Sequence, residues 1–169
     1  MAEPRYVHGY DERESRRLQD QADTLERLLH HDTRYPAGST VLEAGCGVGS
    51  QTVALAAGSP QARIVSVDVA SDSLEQARRR TEAAGIENVQ FLEADILSLP
   101  FEPESFDHVF VCFVLEHMRD PLEALEAMRR VLKPGGSLTV IEGDHGSAYF
   151  HPDSEAAREA IRCQVELQR

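Results

Sequence analysis

The stretch VLEAGCGVGSQT, Val41 to Thr52, decides the fold. An apolar run ends in the carboxylate of Glu43, and Gly45, Gly47 and Gly49 then alternate with other residues. Three glycines in five positions exceed what a plain strand-to-helix turn requires, so the loop is read as bare for the close approach of a ligand. A strand therefore runs from Thr40 to Glu43, and a helix follows the loop through about Ala57.

Outward from this loop the chain alternates helix and strand. Leu18, Ala22, Leu25 and Leu29 fall at helical spacing and predict a leading amphipathic helix within Glu12 to His31. Tyr35-Pro36-Ala37-Gly38 breaks it. Arg63 to Val69 is a second strand. Ser71 is expected to cap a helix whose buried face is Leu74, Ala77, Thr81 and Ala84, with Gly85 at the place of a C-cap glycine. Val89 to Ala94 is a third strand. Phe106 to Val114 is apolar almost throughout, as a parallel strand covered on both faces should be. Asp120 caps the next helix, with Pro121 at its first position and Glu123 at capping-box spacing. Leu122, Leu125, Met128 and Leu132 are expected to be its buried stripe. Lys133-Pro134-Gly135-Gly136 stops it, Ser137 to Glu142 is a fifth strand, and a last helix runs from Asp153. The pattern predicts an α/β fold, a doubly wound, mainly parallel, Rossmann-like sheet. Ligands of such sheets bind beyond the carboxyl ends of the strands. Residues 1–34 are expected to form a helical cap over that site, and residues 35–169 the binding domain.

Composition narrows the function classes. With 169 residues, 41% hydrophobic and 27% charged, the chain is long enough for one domain with its own core. A formal net charge of −12 repels a phosphate backbone at long range, so nucleic acid is not expected as a partner. Arg78-Arg79-Arg80 is read as a solvated surface fanning over several helix faces. Val109 to Leu115 is the longest apolar run and too short to cross a bilayer, so no membrane insertion is expected. Cys46, Cys112 and Cys163 are an odd number without metal spacing. With a polar, charged N-terminal segment, they suggest a cytoplasmic chain without a secretory leader.

The charges around the loop separate two ligand classes, dinucleotides and S-adenosylmethionine. In the dinucleotide fingerprint the third glycine would fall on Ser50, and Gly49 is one place early. Glu43 would repel a pyrophosphate but favour an ammonium or a sulfonium. Asp68, closing the second strand, suits two ribose hydroxyls, or else complements the helix that follows. Asp95, closing the third, suits an adenine amino group with Val69 and Ile96 on the ring faces, or else opens an Asx turn into Leu97–Pro100.

Taken together, Glu43-Ala44-Gly45-Cys46-Gly47-Val48-Gly49, Asp68, Ala94-Asp95-Ile96, Cys112-Phe113-Val114-Leu115-Glu116-His117 and Leu132-Lys133-Pro134-Gly135-Gly136 closely resemble the class I S-adenosylmethionine-dependent methyltransferases. The FVLEHM and LKPGG segments look like the small-molecule subgroup that includes the ubiquinone and menaquinone biosynthesis enzymes. The resemblance covers about Tyr35 to Glu142. It implies that Gly45 and Gly47 let the backbone approach the methionine part of the cofactor, that Glu43 supports that end electrostatically, and that Cys46 and Gly49 belong to the same cofactor-binding loop. It also implies that Asp68 holds the ribose, that Asp95 binds the adenine amine with Val69 and Ile96 on the ring, and that Cys112 and Phe113 border the reacting methyl. Tyr6, Arg17 and Gln21 would close over the cofactor, with S-adenosylhomocysteine as product.

Methyl transfer needs alignment and exclusion of water more than acid–base chemistry. A base serves only an acceptor that must lose a proton, and the candidates are His117 and His145, with His151 behind them. His108 sits early in its strand and is read as structural. Glu142, Asp144, His145 and His151 lack a spacing that would orient a metal, and none is expected. The acceptor is read as a small molecule. The family fold continues beyond a fifth strand, so the reading expects a chain truncated at its C-terminus and self-association through the exposed edge of that strand. Two other readings are a cofactor-binding module without turnover and a nicotinamide-dependent oxidoreductase.

Overall fold

The computed structural model describes residues 24–25, 28–144, 148–149 and 151–168. Tyr6, Arg17, Gln21 and His145 lie outside these residues, as does most of the expected leading helix, of which residues 24–25 and 28–29 are helical. Among the described residues, five strands form one sheet: β1 (Thr40–Ala44), β2 (Arg63–Asp68), β3 (Val89–Glu93), β4 (Phe106–Cys112) and β5 (Leu132–Ile141). They are ordered β3-β2-β1-β4-β5, and every pairing is parallel. The helices are α1 (Thr52–Gly58), α2 (Ser71–Ala83), α3 (Pro121–Val131) and α4 (Glu155–Gln168). The winding reverses between β1 and β4, where ligands of open α/β sheets bind, and the glycine loop follows β1 at that place.

Alternation along β1 divides the core. Leu42 and Ala44 face a cluster with Val67, Val109 and Val111 that α3 covers through Ala124, Met128 and Val131. Val41 joins Ile64 and Phe110 under Leu55 and Ala56 of α1. Apolar residues on both faces are what a doubly wound sheet demands. At the amino ends of the strands Asp107 acts as a latch. Its Oδ2 accepts from Thr40 N at 2.8 Å and its Oδ1 accepts from Lys133 Nζ at 2.7 Å, joining β1, β4 and β5. The hydrogen bond from Lys133 holds the Asp107 carboxyl below the usual carboxylate range.

Several expectations are corrected. β5 begins at Leu132, not Ser137, because Phe106 already pairs with Leu132; a register shift then brings His108 opposite Ser137. β4 ends at Cys112, since Phe113 has φ +56 and turns the chain out of the sheet. Ser71 is the first helical residue rather than the cap; the cap position is Ala70, whose N–H donates to Asp68 Oδ1 at 2.9 Å. Leu122 is 70% exposed, and the buried positions of α3 are Ala124, Met128 and Val131. Ala84 is exposed as well. The caps at the other ends are as read. Asp120 accepts from Leu122 N and Glu123 N. At the end of α2, Ile86 N donates to Thr81 O and Gly85 N to Glu82 O, a Schellman pair of bonds.

Candidate active site

Of the sequence-derived residues, the carboxyl ends of β1, β2, β3 and β4 carry Glu43 and the glycine loop, Asp68, Asp95–Ile96 and Cys112–Phe113. The glycine loop is anchored to β2 from below: Gly45 N and Cys46 N both donate to Val67 O, at 2.8 and 2.9 Å. Gly47 N donates to Asp68 Oδ2 at 2.8 Å, so one carboxylate fixes both the loop and, through Ala70 N, the start of α2. Ala94 N donates to Asp68 O at 3.0 Å, which brings Asp95 level with Asp68. Asp95 accepts from Leu97 N at 2.9 Å and opens the short 3₁₀ turn Ile96–Ser98, so the Asx-turn reading of this residue holds.

The glycines differ in what surrounds them. A Cβ at Gly49 would lie 2.8 Å from Ala77 Cβ, so this glycine lets α2 pack on the loop. A Cβ at Gly45 would meet Val114 Cγ2 at 2.7 Å. Gly47 has φ +53 and nothing within 4 Å of its Cβ position. Its positive φ favours glycine there, and among the described residues no neighbour fills the space beside it.

Glu43 is 2% exposed. Its Oε2 accepts from Ser66 Oγ at 2.6 Å and Thr52 Oγ1 at 2.8 Å. Burial pushes its carboxyl up to about 7. It therefore carries only part of a negative charge at neutral pH and ties β1, β2 and α1 together beneath the loop. Val69 is 43% exposed and Leu97 40%, at the ends of neighbouring strands, whereas Ile96 is largely buried with Cδ1 against the loop at Gly45. Cys46 and Cys112 are buried, and burial pushes both thiols well up, so they stay protonated and pack as small apolar groups.

β4 and β5 meet at the far side of the loop. Phe113 N donates to Ile141 O at 2.9 Å. Glu142 then accepts from Val114 N (3.1 Å), Leu115 N (3.0 Å) and Glu116 N (3.4 Å). His117 lies in the same 3₁₀ turn, Leu115–His117, with Nε2 3.4 Å from Glu116 Oε1. His151 is exposed before α4. His108 bonds Ser137 Oγ at 2.8 Å and stacks with Tyr35, early in its strand as read. Sequence reasoning missed Ser66, Thr52, Val114 and the use of Glu142. The polar Ser66 inside the otherwise apolar RIVSVD strand was the one visible signal that a buried polar partner awaited it.

A methyltransferase domain family model matches residues 36–166. The demethylmenaquinone methyltransferase of Staphylococcus aureus is 40% identical over 124 residues, which are 73% of this chain and 51% of that protein. The chain thus spans about half the length of the curated relatives of this kind that it matches. An S-adenosylmethionine-dependent methyltransferase from Aquifex aeolicus shares the fold, with a TM-score of 0.67 and 22% identity over 89% of this chain and 86% of that one. The [4+2]-cyclase SpnF has a TM-score of 0.60 and 27% identity over 95% of this chain and 64% of that one. The match over residues 36–166 takes in every described strand of the sheet and the whole glycine loop, and the chain belongs to the methyltransferase domain family.

Proposed function

We propose that this chain binds S-adenosylmethionine along the carboxyl ends of β1 to β4 and moves its methyl group to a small-molecule acceptor by in-line displacement. The observation that carries this reading is Gly47, whose backbone is bare toward open space while its N–H is fixed to Asp68. The donor set suits the cofactor: Asp68 and Asp95 are acceptors for hydroxyl and amino groups, and the exposed Val69 and Leu97 offer apolar surface beside them. When bound, S-adenosylmethionine supplies an activated methyl with its leaving group already in place. The chain's own residues then orient and desolvate. Asp68 aligns the loop, Glu43 acts through the loop rather than by contact, and Cys112 and Phe113 border the reacting end. His117 and His145 are proposed to take a proton where the acceptor must lose one.

Calorimetric titration with S-adenosylmethionine and with S-adenosylhomocysteine tests the proposal. Saturable binding of either, lost in Asp68→Ala, is the expected result. A folded wild-type sample that binds neither, or that binds a nicotinamide dinucleotide instead, would sink it. A cyclase stands among the structural relatives, an activity other than methyl transfer, and this supports a second reading, a cofactor-binding module without turnover. Tight binding with no S-adenosylhomocysteine formed across a panel of phenolic, quinol, amine and thiol acceptors would select that reading.

Two further parts of the proposal concern the whole molecule. Free Cys46, Cys112 and Cys163 support a reducing, cytoplasmic setting. Among the described residues no helix is long and apolar enough to cross a membrane. Among the described residues β5 pairs with β4 alone and carries Val140 at 44% exposure, which supports self-association along that edge.

A further inference from the structure

Four consecutive amides, Phe113 to Glu116, are all held by two residues at the end of β5. Ile141 O takes Phe113 N, and the Glu142 carboxylate takes Val114, Leu115 and Glu116. The segment they hold is not one that orders itself. Phe113 stands at φ +56, in the left-handed region that a bulky side chain seldom occupies. The 3₁₀ turn that follows spans only Leu115–His117, and its capping position, Val114, has no oxygen in its side chain to receive the free N–H groups. The carboxylate of Glu142, arriving from another strand, supplies what a local cap would. Val114 in turn packs on the glycine loop, where its Cγ2 would lie 2.7 Å from a Cβ at Gly45.

We infer that Glu142 is a positioning residue that pre-orders the β4 loop for the cofactor. This inference rests on the proposed S-adenosylmethionine site. A carboxylate that accepts several backbone N–H groups fixes their directions together, and a loop ordered before binding spares the complex that ordering cost. Glu142→Ala removes all three acceptor contacts. Glu142→Gln keeps the shape and the Oε1 acceptor shared by Val114 and Leu115, but can turn an N–H₂ toward Glu116 N where the second oxygen stood.

Two measurements on the full chain test this. The first is amide hydrogen exchange of the free protein. Exchange at Val114, Leu115 and Glu116 should rise at least tenfold in Glu142→Ala, and in Glu142→Gln chiefly at Glu116. Gly45, Cys46 and Gly47 should keep wild-type protection, because Val67 and Asp68 hold them independently. The second is calorimetric titration with S-adenosylhomocysteine. Affinity should fall roughly tenfold in Glu142→Ala and by less in Glu142→Gln. The loss should lie in the binding entropy, and saturating ligand should restore protection at the three amides. A residue that merely stabilised the fold would raise exchange throughout and leave the affinity of the folded fraction unchanged.

The inference is overturned if exchange at the three amides does not change in either variant. It is equally overturned if exchange rises there but affinity stays at the wild-type value. Should the wild type itself bind no S-adenosylhomocysteine, the cofactor site fails and the positioning role fails with it, while the exchange data still decide whether the clamp exists. If Glu142→Ala does not fold, the near-isosteric Glu142→Gln decides both measurements.

Discussion

Replacing Gly49 by alanine tests whether the loop is bare for packing at one glycine and for a ligand at another. A Cβ at Gly49 would lie 2.8 Å from Ala77 Cβ and 2.9 Å from Ala77 Cα. Ala77 is fully buried in α2. No rotamer relieves a clash with the backbone of a packed helix, so α2 must move. Overpacking of this kind costs about 1–3 kcal/mol. Gly49 also has φ +76, where a side chain costs about 1–2 kcal/mol more. The sum, about 2–5 kcal/mol, is a fall in Tm of roughly 4–20 °C at about 2–4 °C per kcal/mol. Gly47→Ala is the internal control. It meets nothing within 4 Å, so only the backbone term of about 1–2 kcal/mol applies, roughly 2–8 °C. Thermal unfolding without ligand should therefore rank Gly49→Ala well below Gly47→Ala. Titration with S-adenosylhomocysteine should reverse the order, with folded Gly47→Ala losing more affinity. Equal falls in Tm would refute the packing argument, and wild-type affinity in Gly47→Ala would refute the assignment of its open side to the ligand.

Three other perturbations separate the remaining claims. The carboxyl of Glu43 is raised to about 7, so the folded state binds its proton more tightly than the unfolded chain does, and stability contributed by the neutral acid is lost as pH rises from about 4.5 to about 7. Glu43→Gln, whose oxygen can accept from both Ser66 and Thr52, should remove that loss, so urea unfolding should favour the variant by up to about 3 kcal/mol at pH 8 and by little at pH 4.5; parallel pH curves would contradict the buried acid. Asp120→Ala removes the cap that serves Leu122 N and Glu123 N and should cost about 1 kcal/mol by denaturant unfolding. If the open edge of β5 drives association, sedimentation should show dimers or larger species that Val140→Lys reduces, and a wild-type monomer at high concentration would remove that expectation.

The parts of this molecule that were legible in its sequence are those set by backbone conformation and strand periodicity. Gly45, Gly47 and Gly49 announced the loop, and Asp68 and Asp95 stand at strand ends because alternation located those ends. Size misled the reading of α3. Leu125 and Met128 do pack on the core, but Leu122 points away at 70% exposure and the small Ala124 takes the buried place beside them. Lys133-Pro134-Gly135-Gly136 did end the helix, yet Leu132 already pairs with Phe106, because a register shift absorbs the intervening residues. Glu43 was read as a charge beside the ligand. Its burial, its two hydroxyl partners and its raised pKa depend on Ser66 and Thr52 arriving from other elements. The service Glu142 gives to the β4 loop is illegible for the same reason: β5 must lie beside β4 before the two segments meet.

The parallel register has a consequence for how the domain comes together. Val41 pairs with His108 and Thr40 with Arg63, and among the described residues every pairing is parallel, so none is made through a tight hairpin. Each pairing closes a long loop before it returns any contact energy, which makes for slow folding and a late, cooperative assembly of the sheet. The residues proposed to face the ligand sit at the ends of four such strands, so the proposed site is complete only once the sheet is fully paired. A ligand that recognises it adds stability only to the fully paired sheet, by mass action. Cofactor concentration would then set how long the finished molecule survives, and a thermal shift with S-adenosylhomocysteine would report the fraction of chains whose sheet is whole.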